Sequence, residues 1–222
     1  MKPLIVINFK TYAEGTGNLG LKLAKICDDV AREYGINIIV APQVADIYRI
    51  STSVKIPVFS QNIDPVVYGS STGHVLPESV KESGASGSLI NHSEMRLRLA
   101  DIETCIKKLK ELRMISILCS NNIATTKAAA ALEPNFVAIE PPELIGSGIP
   151  VSKAQPKIVL DSVNEVKRIN PKVKTLCGAG ISIGEDLKAA IELGTDGVLL
   201  ASGIVKAKDQ KKALLNLIKP LI

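Results

Sequence analysis

The stretch Leu4-Ile5-Val6-Ile7-Asn8, followed directly by Phe9-Lys10-Thr11-Tyr12, distinguishes between the two fold classes that fit this chain. Its short apolar run is typical of a buried strand. An open doubly wound sheet would be expected to carry a glycine-rich dinucleotide-binding turn after its first strand, and no such turn follows here. The stretch therefore favours a closed barrel over an open sheet.

Comparable apolar runs recur along the whole chain and alternate with longer amphipathic segments. In those segments apolar residues recur at helical spacing, as at Leu19, Leu23, Ile26 and Val30. Strand followed by helix, repeated eight times, is the pattern of a (β/α)8 barrel. We therefore predict a single α/β domain over residues 1–222, a closed (β/α)8 barrel, with strands at residues 4–8, 36–41, 56–61, 87–91, 114–119, 136–140, 173–177 and 197–201.

Capping residues and helix breakers predict two helix boundaries. Asn121 and Asn122 can cap an alanine-rich helix at residues 123–132, which Pro134 stops. A second helix is expected to begin near Asp186 and to end at Gly194.

The charge distribution argues against a nucleic-acid partner. Lys and Arg exceed Asp and Glu by 27 to 22, a net charge of +5, but the basic residues are scattered and aromatic residues make up only 3% of the chain. A positive field of this kind favours small anionic substrates.

The four cysteines, Cys27, Cys105, Cys119 and Cys177, are widely spaced, with no C-x-x-C motif and no Cys/His cluster suited to zinc. We interpret them as reduced thiols and expect a cytoplasmic protein that uses neither a metal nor a cofactor. The N-terminal apolar run is too short for a signal peptide, and no apolar stretch reaches membrane-spanning length. A membrane partner is therefore not expected.

Polar and ionisable side chains follow three of the predicted strands, where a barrel of parallel strands carries its active site. Asn8 and Lys10 follow the first strand, His92 follows the fourth, and Glu140 ends the sixth. The alternative for Lys10 is a solvated lysine, for His92 a structural histidine, and for Glu140 an exposed loop carboxylate. The structural role fits His74 better than His92, and the exposed role fits Glu143 better than Glu140. A base and an acid on one rim predict proton transfer.

The segment after His92, Ser93-Glu94-Met95-Arg96, is expected to open a helix. The partial positive charge at a helix N-terminus would favour the neutral imidazole over the imidazolium. A neutral imidazole can donate a hydrogen bond to a carbonyl or enediol oxygen.

Glycine-rich turns follow the last two strands, Cys177-Gly178-Ala179-Gly180-Ile181 and Ala201-Ser202-Gly203. In a barrel, backbone N–H groups of turns at these two places gather around a phosphate, so we expect a phosphate ester as substrate. Between the sixth and seventh strands, Pro141-Pro142 and Gly146-Ser147-Gly148 flank an apolar tip. This pattern predicts a lid over residues 141–148.

Together these motifs resemble the triosephosphate isomerase family over the whole chain. The resemblance rests on the order and spacing of Asn8-x-Lys10, Gln61, Thr72-Gly73, His92-Ser93-Glu94, Cys119, Glu140-Pro141, Gly146-Ser147-Gly148 and the two phosphate turns. The short length, Glu140-Pro141-Pro142-Glu143 and the first phosphate turn are similar to the compact archaeal branch of the family. In that branch some helices of the TIM barrel are shortened and tetramers are known.

The resemblance implies an intramolecular aldose-ketose isomerase that interconverts glyceraldehyde 3-phosphate and dihydroxyacetone phosphate through an enediol(ate), in glycolysis and gluconeogenesis. By roles inherited from the family, Glu140 would be the base, His92 the neutral electrophile and Lys10 the cation that neutralises developing charge. Glu94 would support this region, and Thr72 would reach the site of a neighbouring subunit in a homodimer or homotetramer. The remaining substrate contacts would come from Asn8, Gly146, Gly180, Ser182, Ala201 and Ser202.

Two positions depart from the family pattern. Asn91 stands where a glycine often precedes the histidine, and Ala201-Ser202 replaces a glycine pair after the eighth strand. Both changes keep the backbone N–H donors, and the small side chains still let a phosphate approach.

The residues leave two other functions open. One is a different phosphate-handling barrel enzyme, because phosphate turns of this kind are widely shared, and it would not require Lys10, His92 and Glu140 together. The other is a non-catalytic binding or assembly protein, in which the loop around Thr72 would serve only as an interface. Isomerase activity without an added cofactor separates these functions.

Overall fold

The computed structural model describes residues 2–141 and 151–222, except for the side chains of residues 151 and 153. The strands in these residues, β1 to β8, are Leu4–Asn8, Asn37–Ala41, Phe59–Ser60, Gly87–Ile90, Ile115–Ser120, Phe136–Ile139, Lys174–Cys177 and Gly197–Leu200.

The eight strands form one parallel sheet in the order β2-β1-β8-β7-β6-β5-β4-β3. A parallel bridge between Val40 and Val58 joins the two ends of this order. The backbone N–H of Val40 also donates to the carbonyl oxygen of Pro57, at 3.2 Å. The sheet therefore curls into a barrel, and the predicted (β/α)8 fold class is confirmed.

Helices surround the barrel, and several are as short as expected for the compact branch. The helices of the described ranges, α1 to α10, are Gly17–Tyr34, Ile47–Ser51, Pro77–Glu82, Leu99–Glu111, Ile123–Ala131, Val151–Ala154, Pro156–Ile169, Gly184–Glu192, Ser202–Val205 and Gln210–Ile218. Three further 3₁₀ turns lie at Ala13–Gly15, Val44–Asp46 and Lys219–Leu221. Within the described part of the chain, no helix is both long and apolar enough to cross a membrane.

Both predicted helix boundaries are close to the observed ones. The N–H of Thr125 donates to Asn122 Oδ1 at 2.9 Å, so Asn122 caps α5 as expected. Helix α8 begins at Gly184, two residues before the predicted start, because Asp186 lies inside its first turn. From there the Asp186 carboxylate accepts the N–H groups of Ser182 and Ile183 at 3.1 and 3.2 Å.

The third strand is shorter than predicted. Only Phe59–Ser60 are paired as a strand, against the expected residues 56–61. On the N-terminal side the N–H of Ile56 donates to Asp28 Oδ1 on α1, at 3.0 Å, rather than to a neighbouring strand. After the strand, the Gln61 side chain bonds the carbonyl oxygens of Lys10 and Ala41. Side-chain contacts from distant elements thus replace ladder hydrogen bonds at both ends.

The core has two layers because successive strand side chains point to opposite faces of the sheet. One layer fills the barrel interior and includes Val6, Leu89 and Ala138. The other packs the outside of the sheet against the helices and includes Ile7 and Ile139. Val6 on β1 and Ala138 on β6 point into the barrel, and in a strand every second side chain points to the same face. Counting on in steps of two leads from Val6 to Asn8 and Lys10, and from Ala138 to Glu140. The fold therefore places these polar side chains at the mouth of the barrel.

Candidate active site

Asn8 and Lys10 form a tight turn at the end of β1. Lys10 has a left-handed backbone conformation, with φ of 48°, which is uncommon for a residue other than glycine. The Lys10 N–H donates to Asn8 Oδ1 at 2.9 Å, and Gln61 Nε2 donates to the Lys10 carbonyl at 2.9 Å. Held from both sides, the Lys10 side chain is only 11% exposed, and its Nζ lies 2.8 Å from Glu94 Oε1.

Asn91 sets the direction of the histidine that follows it. Its backbone is left-handed, with φ of 61°. The Asn91 side chain donates to the Cys119 carbonyl at 3.0 Å and accepts the N–H of Leu97 at 2.9 Å. Apart from glycine, asparagine is among the residues that adopt this conformation most readily, which accounts for Asn91 at a position where glycine is common. The turn interrupts the strand alternation and brings His92 to the mouth of the barrel.

The hydrogen bonds of His92 fit one neutral form of the ring. The N–H of Glu94 donates to His92 Nδ1 at 3.2 Å, so Nδ1 acts as an acceptor and the ring proton lies on Nε2. The expectation that residues 93–96 open a helix is wrong. They begin a single turn, closed by Met95 N–H donating to the His92 carbonyl at 2.8 Å, and α4 starts only at Leu99. The group that contacts His92 Nδ1 is therefore one backbone amide, not a helix terminus.

Glu140 follows β6 and points into the barrel mouth beside His92. The residue is 5% exposed, and its Oε1 lies 3.7 Å from His92 Nε2. Its other oxygen, Oε2, is buried and has no hydrogen-bond partner among the described residues. A buried carboxylate oxygen without a partner is rare in proteins and is available to accept a proton.

Two thiols lie near this carboxylate. Burial, reinforced by the charge of Glu140, raises the pKa of Cys119 well above its usual range. Burial and the same charge raise the pKa of Cys177 to about 12. Both side chains therefore stay protonated at neutral pH, so they act as neutral neighbours of Glu140 rather than as nucleophiles.

Gly178 leaves the space that Glu140 occupies. A Cβ atom at Gly178 would collide with Glu140 Cγ and would lie 2.9 Å from its Cδ and Oε1. We expect Gly178→Ala to displace the carboxylate by about 1 Å and to lower kcat by about a hundred-fold. Steady-state kinetics would measure this loss, and a thermal unfolding curve close to the parent's would show that the barrel is intact. Parent-level turnover in a folded variant would contradict this placement of Glu140.

The turns after β7 and β8 form another part of the wall of the site. Ala179 and Gly180 are successive left-handed residues, with φ of 68° and 73°. Helix α9 begins at Ser202, and the N–H groups of Ser202 and Gly203 have no acceptor in the described residues. Free amides at the start of a helix favour an anion.

The Ser182 amide is already engaged. Its N–H donates to the buried Asp186 carboxylate. The N–H predicted to bind phosphate at Ser182 is therefore already hydrogen-bonded. Sequence reasoning recognised Asp186 only as the start of a helix. A carboxylate at the start of a helical run does not by itself indicate that it accepts hydrogen bonds from the turn before the helix.

One cavity brings most of the predicted residues together. We call it the central cavity. Its lining comprises Asn8, Lys10, Tyr12, His92, Glu140, Ala179, Gly180, Ile181, Ser182, Leu199, Leu200, Ala201 and Ser202. Tyr12 could not be selected from the sequence, because it lies four residues beyond the end of β1.

A second space, the outer groove, continues from the central cavity on the side of β2 to β4. It shares Asn8, Lys10, Tyr12 and His92 with that cavity, and Thr11, Gln43, Val44, Ser60, Gln61, Asn62, Val75, Glu94 and Met95 complete its lining. Thr72 is exposed and lines neither the central cavity nor the outer groove. Residues 142–148 of the predicted lid, including Gly146, lie outside the described residues. Within the described ranges, no group of three or more His, Cys, Asp or Glu side chains could hold a metal ion.

The chain is similar to known proteins over almost its whole length. The family model described as triosephosphate isomerase matches residues 3–220. Triosephosphate isomerases of Methanothermus fervidus and Methanosarcina barkeri are 63% and 60% identical to the chain, and each alignment covers 98% of both sequences. A crystal structure of triosephosphate isomerase from Bartonella henselae shares the fold, with a TM-score of 0.76 and 18% identity over 97% of this chain and 98% of that one. The chain belongs to the triosephosphate isomerase family.

Proposed function

We propose that this chain interconverts glyceraldehyde 3-phosphate and dihydroxyacetone phosphate by proton transfer, and that Glu140, His92 and Lys10 perform the reaction. The observation that carries the proposal is the buried Oε2 of Glu140, which has no hydrogen-bond partner among the described residues, in a cavity with His92 Nε2 only 3.7 Å from Glu140 Oε1. At the start of α9, amides that have no acceptor in the described residues are offered to a phosphate.

Glu140 and His92 divide the chemistry between a carbon and an oxygen. The Glu140 carboxylate removes a proton from the carbon beside the carbonyl group, and the electron pair of the C–H bond moves toward the carbonyl oxygen. The Nε2–H of His92 donates a hydrogen bond to that oxygen and stabilises the enediolate. Glu140 then returns the proton to the neighbouring carbon. The aldose and the ketose are exchanged, and no atom is gained or lost.

Lys10 supplies the positive charge that this intermediate requires. Its ammonium is largely buried, so less solvent screens it from an anion in the cavity than on the open surface. Glu94, which is 58% exposed, holds the ammonium from the solvent side at 2.8 Å. Asn8 fixes the Lys10 turn and lines the same cavity.

The phosphate of the substrate is assigned to the wall formed by Gly180, Ser182, Ala201 and Ser202. The Ser202 N–H, which has no acceptor in the described residues, supports this assignment, whereas the Ser182 amide donates to Asp186 at 3.1 Å. Gly146 is included by family resemblance alone, because it lies outside the described residues.

A coupled assay on the purified protein tests the activity. With glyceraldehyde 3-phosphate as substrate and no added metal or cofactor, dihydroxyacetone phosphate should form and the reverse reaction should also proceed. Glyceraldehyde 3-phosphate turnover no faster than in buffer would reject the proposed function.

A second copy of the chain is the proposed partner of the outer groove. Val44 and Met95 line this groove and are 50% and 48% exposed. Val67 and Tyr68, on the loop after β3, are 64% and 72% exposed. Apolar side chains at this level of exposure favour a protein interface. We propose that the loop of one copy, with Thr72 on it, enters the groove of the other.

Asp64 gives that loop a fixed base. Its carboxylate accepts the N–H of Val75 at 2.8 Å and the Asn62 amide at 3.0 Å, and it lies 3.1 Å from His74 Nδ1. A loop with an anchored base can present Thr72 in a defined position.

Shortening residues 69–73 should abolish association and activity together. The deletion leaves the Asp64 anchor intact but removes the part of the loop that would reach the partner. Light scattering would measure the mass, and the coupled assay the activity; a Tyr48→Ser variant, exposed outside both spaces, serves as control. A fully active monomer would contradict the proposed role of Thr72.

A reducing compartment such as the cytoplasm is the proposed location. All four cysteines are buried and none forms a disulfide. Buried unpaired thiols are typical of proteins from reducing compartments.

A further inference from the structure

We propose that Lys206, held above the Tyr12 ring, is a second cation of the site and binds the phosphate end of the substrate. This inference rests on the proposed function, because it assigns a specificity residue for the same phosphorylated substrate. It concerns the wall of the central cavity that the turns after β7 and β8 form, where family resemblance points only to backbone donors.

The phosphate wall has no cation of its own in the described residues. Among all the residues that line the central cavity, Lys10 is the one Lys or Arg, and its Nζ is paired with Glu94 Oε1 at 2.8 Å. Behind the phosphate turn lies the buried carboxylate of Asp186, which accepts the Ser182 amide at 3.1 Å. A substrate phosphate carries close to two negative charges at neutral pH. A positive charge near this wall would therefore favour its binding.

Lys206 lies in the right place to supply that charge. Its Nζ is 5.4 Å from the centroid of the Tyr12 ring, within the range of a cation–π contact. Tyr12 in turn lines the central cavity. The backbone N–H of Lys206 donates to the Ser202 carbonyl at 3.1 Å, so Lys206 follows the proposed phosphate donor Ser202 by one helical turn.

The Lys206 ammonium is also available to a substrate. No ion pair joins it to a carboxylate in the described residues, and the residue is exposed. The Tyr12 ring limits the directions that a long side chain would otherwise sample, and Tyr12 itself lines the central cavity. Tyr12 thus acts as a positioning residue, and Lys206 as the group that meets the phosphate.

Such a cation should act on binding rather than on chemistry. The phosphate is unchanged between substrate and intermediate, so an interaction with it stabilises both about equally and lowers KM without changing kcat. Because Lys206 is exposed, dissolved salt should screen its attraction for the substrate. Loss of Lys206 is therefore expected to matter most at low ionic strength.

The test compares the parent with Lys206→Gln, Lys206→Arg and the control Lys208→Gln, which removes an exposed lysine two residues away. At about 10 mM ionic strength, Lys206→Gln should raise KM for glyceraldehyde 3-phosphate by about five- to ten-fold with kcat within two-fold of the parent. At about 0.5 M ionic strength the difference should fall below about two-fold. Arginine should restore the parent KM, and Lys208→Gln should match the parent throughout.

Phosphate binding gives a readout that does not depend on turnover. Calorimetric titration with inorganic phosphate at low salt should show affinity reduced several-fold in Lys206→Gln, partly reduced in Tyr12→Leu, and unchanged in Lys208→Gln. An inactive parent would reject the proposed function, while the phosphate titration would still decide the role of Lys206. Equal KM and equal phosphate affinity in the parent and Lys206→Gln would overturn the inference, as would equal losses in Lys206→Gln and Lys208→Gln.

Discussion

Replacing Glu140 with glutamine should lower kcat by about a thousand-fold while leaving the barrel folded. The substitution keeps the size of the side chain and removes the basic oxygen, so the cavity stays filled but the carbon-bound proton has no acceptor. KM should change little, because the proposed phosphate contacts come from the turns after β7 and β8 and not from Glu140. Steady-state kinetics in both directions would measure the effect.

Two further variants separate loss of the base from loss of structure. Glu140→Asp keeps the carboxylate but withdraws it by about one bond length, for an expected loss on the order of a hundred-fold. Glu133→Gln removes an exposed glutamate and should behave like the parent. Near-parent turnover in Glu140→Gln would remove Glu140 as the base.

Replacing Lys10 with methionine should lower kcat/KM by about a thousand-fold, through a higher KM and a lower kcat together. Methionine retains most of the apolar stem and removes the ammonium. The anionic substrate would then bind more weakly, and the enediolate would lose a charge that lies in a largely buried position. This double effect distinguishes Lys10 from Lys206, for which only KM is expected to change.

The control for Lys10 is Lys25→Met, which removes an exposed lysine from α1. A change in thermal unfolding shared by both variants would reflect loss of a surface charge. Because Lys10→Met also frees Glu94, the double variant Lys10→Met with Glu94→Gln shows whether an unpaired carboxylate contributes to the loss. A Lys10→Met enzyme with the parent kcat would contradict a role for Lys10 in stabilising the intermediate.

The strands could be predicted well where a run of apolar residues begins and ends within one element. β1 agrees fully with its prediction, and β6 differs by one residue. β3 could not be predicted, because its length depends on Asp28 from α1 and on the reach of the Gln61 side chain. Hydrogen bonds between distant parts of the chain leave no periodic pattern in the sequence.

The same distinction applies to the site. Asn8, Lys10 and Glu140 continue the inward alternation of their strands, so their convergence could be predicted from local pattern. His92 breaks that alternation. It reaches the cavity because Asn91 adopts a left-handed conformation that is secured by the Cys119 carbonyl on β5.

The part played by Gly178 also depends on the packing of two strands. Its missing side chain leaves room for Glu140, which directly follows the neighbouring strand β6. A glycine in a turn gives no indication of which side chain fills the space beside it.

The two-layer core has a consequence for how such a protein can change over evolutionary time. Ile7 and Ile139 face the helices, while their sequence neighbours Asn8 and Glu140 face the cavity. Mutations in the outer layer can therefore alter heat tolerance, and those at the mouth can alter turnover, with little interference between the two. Adaptation to a new temperature and preservation of an old reaction can proceed along separate sets of positions, even between adjacent residues of one strand.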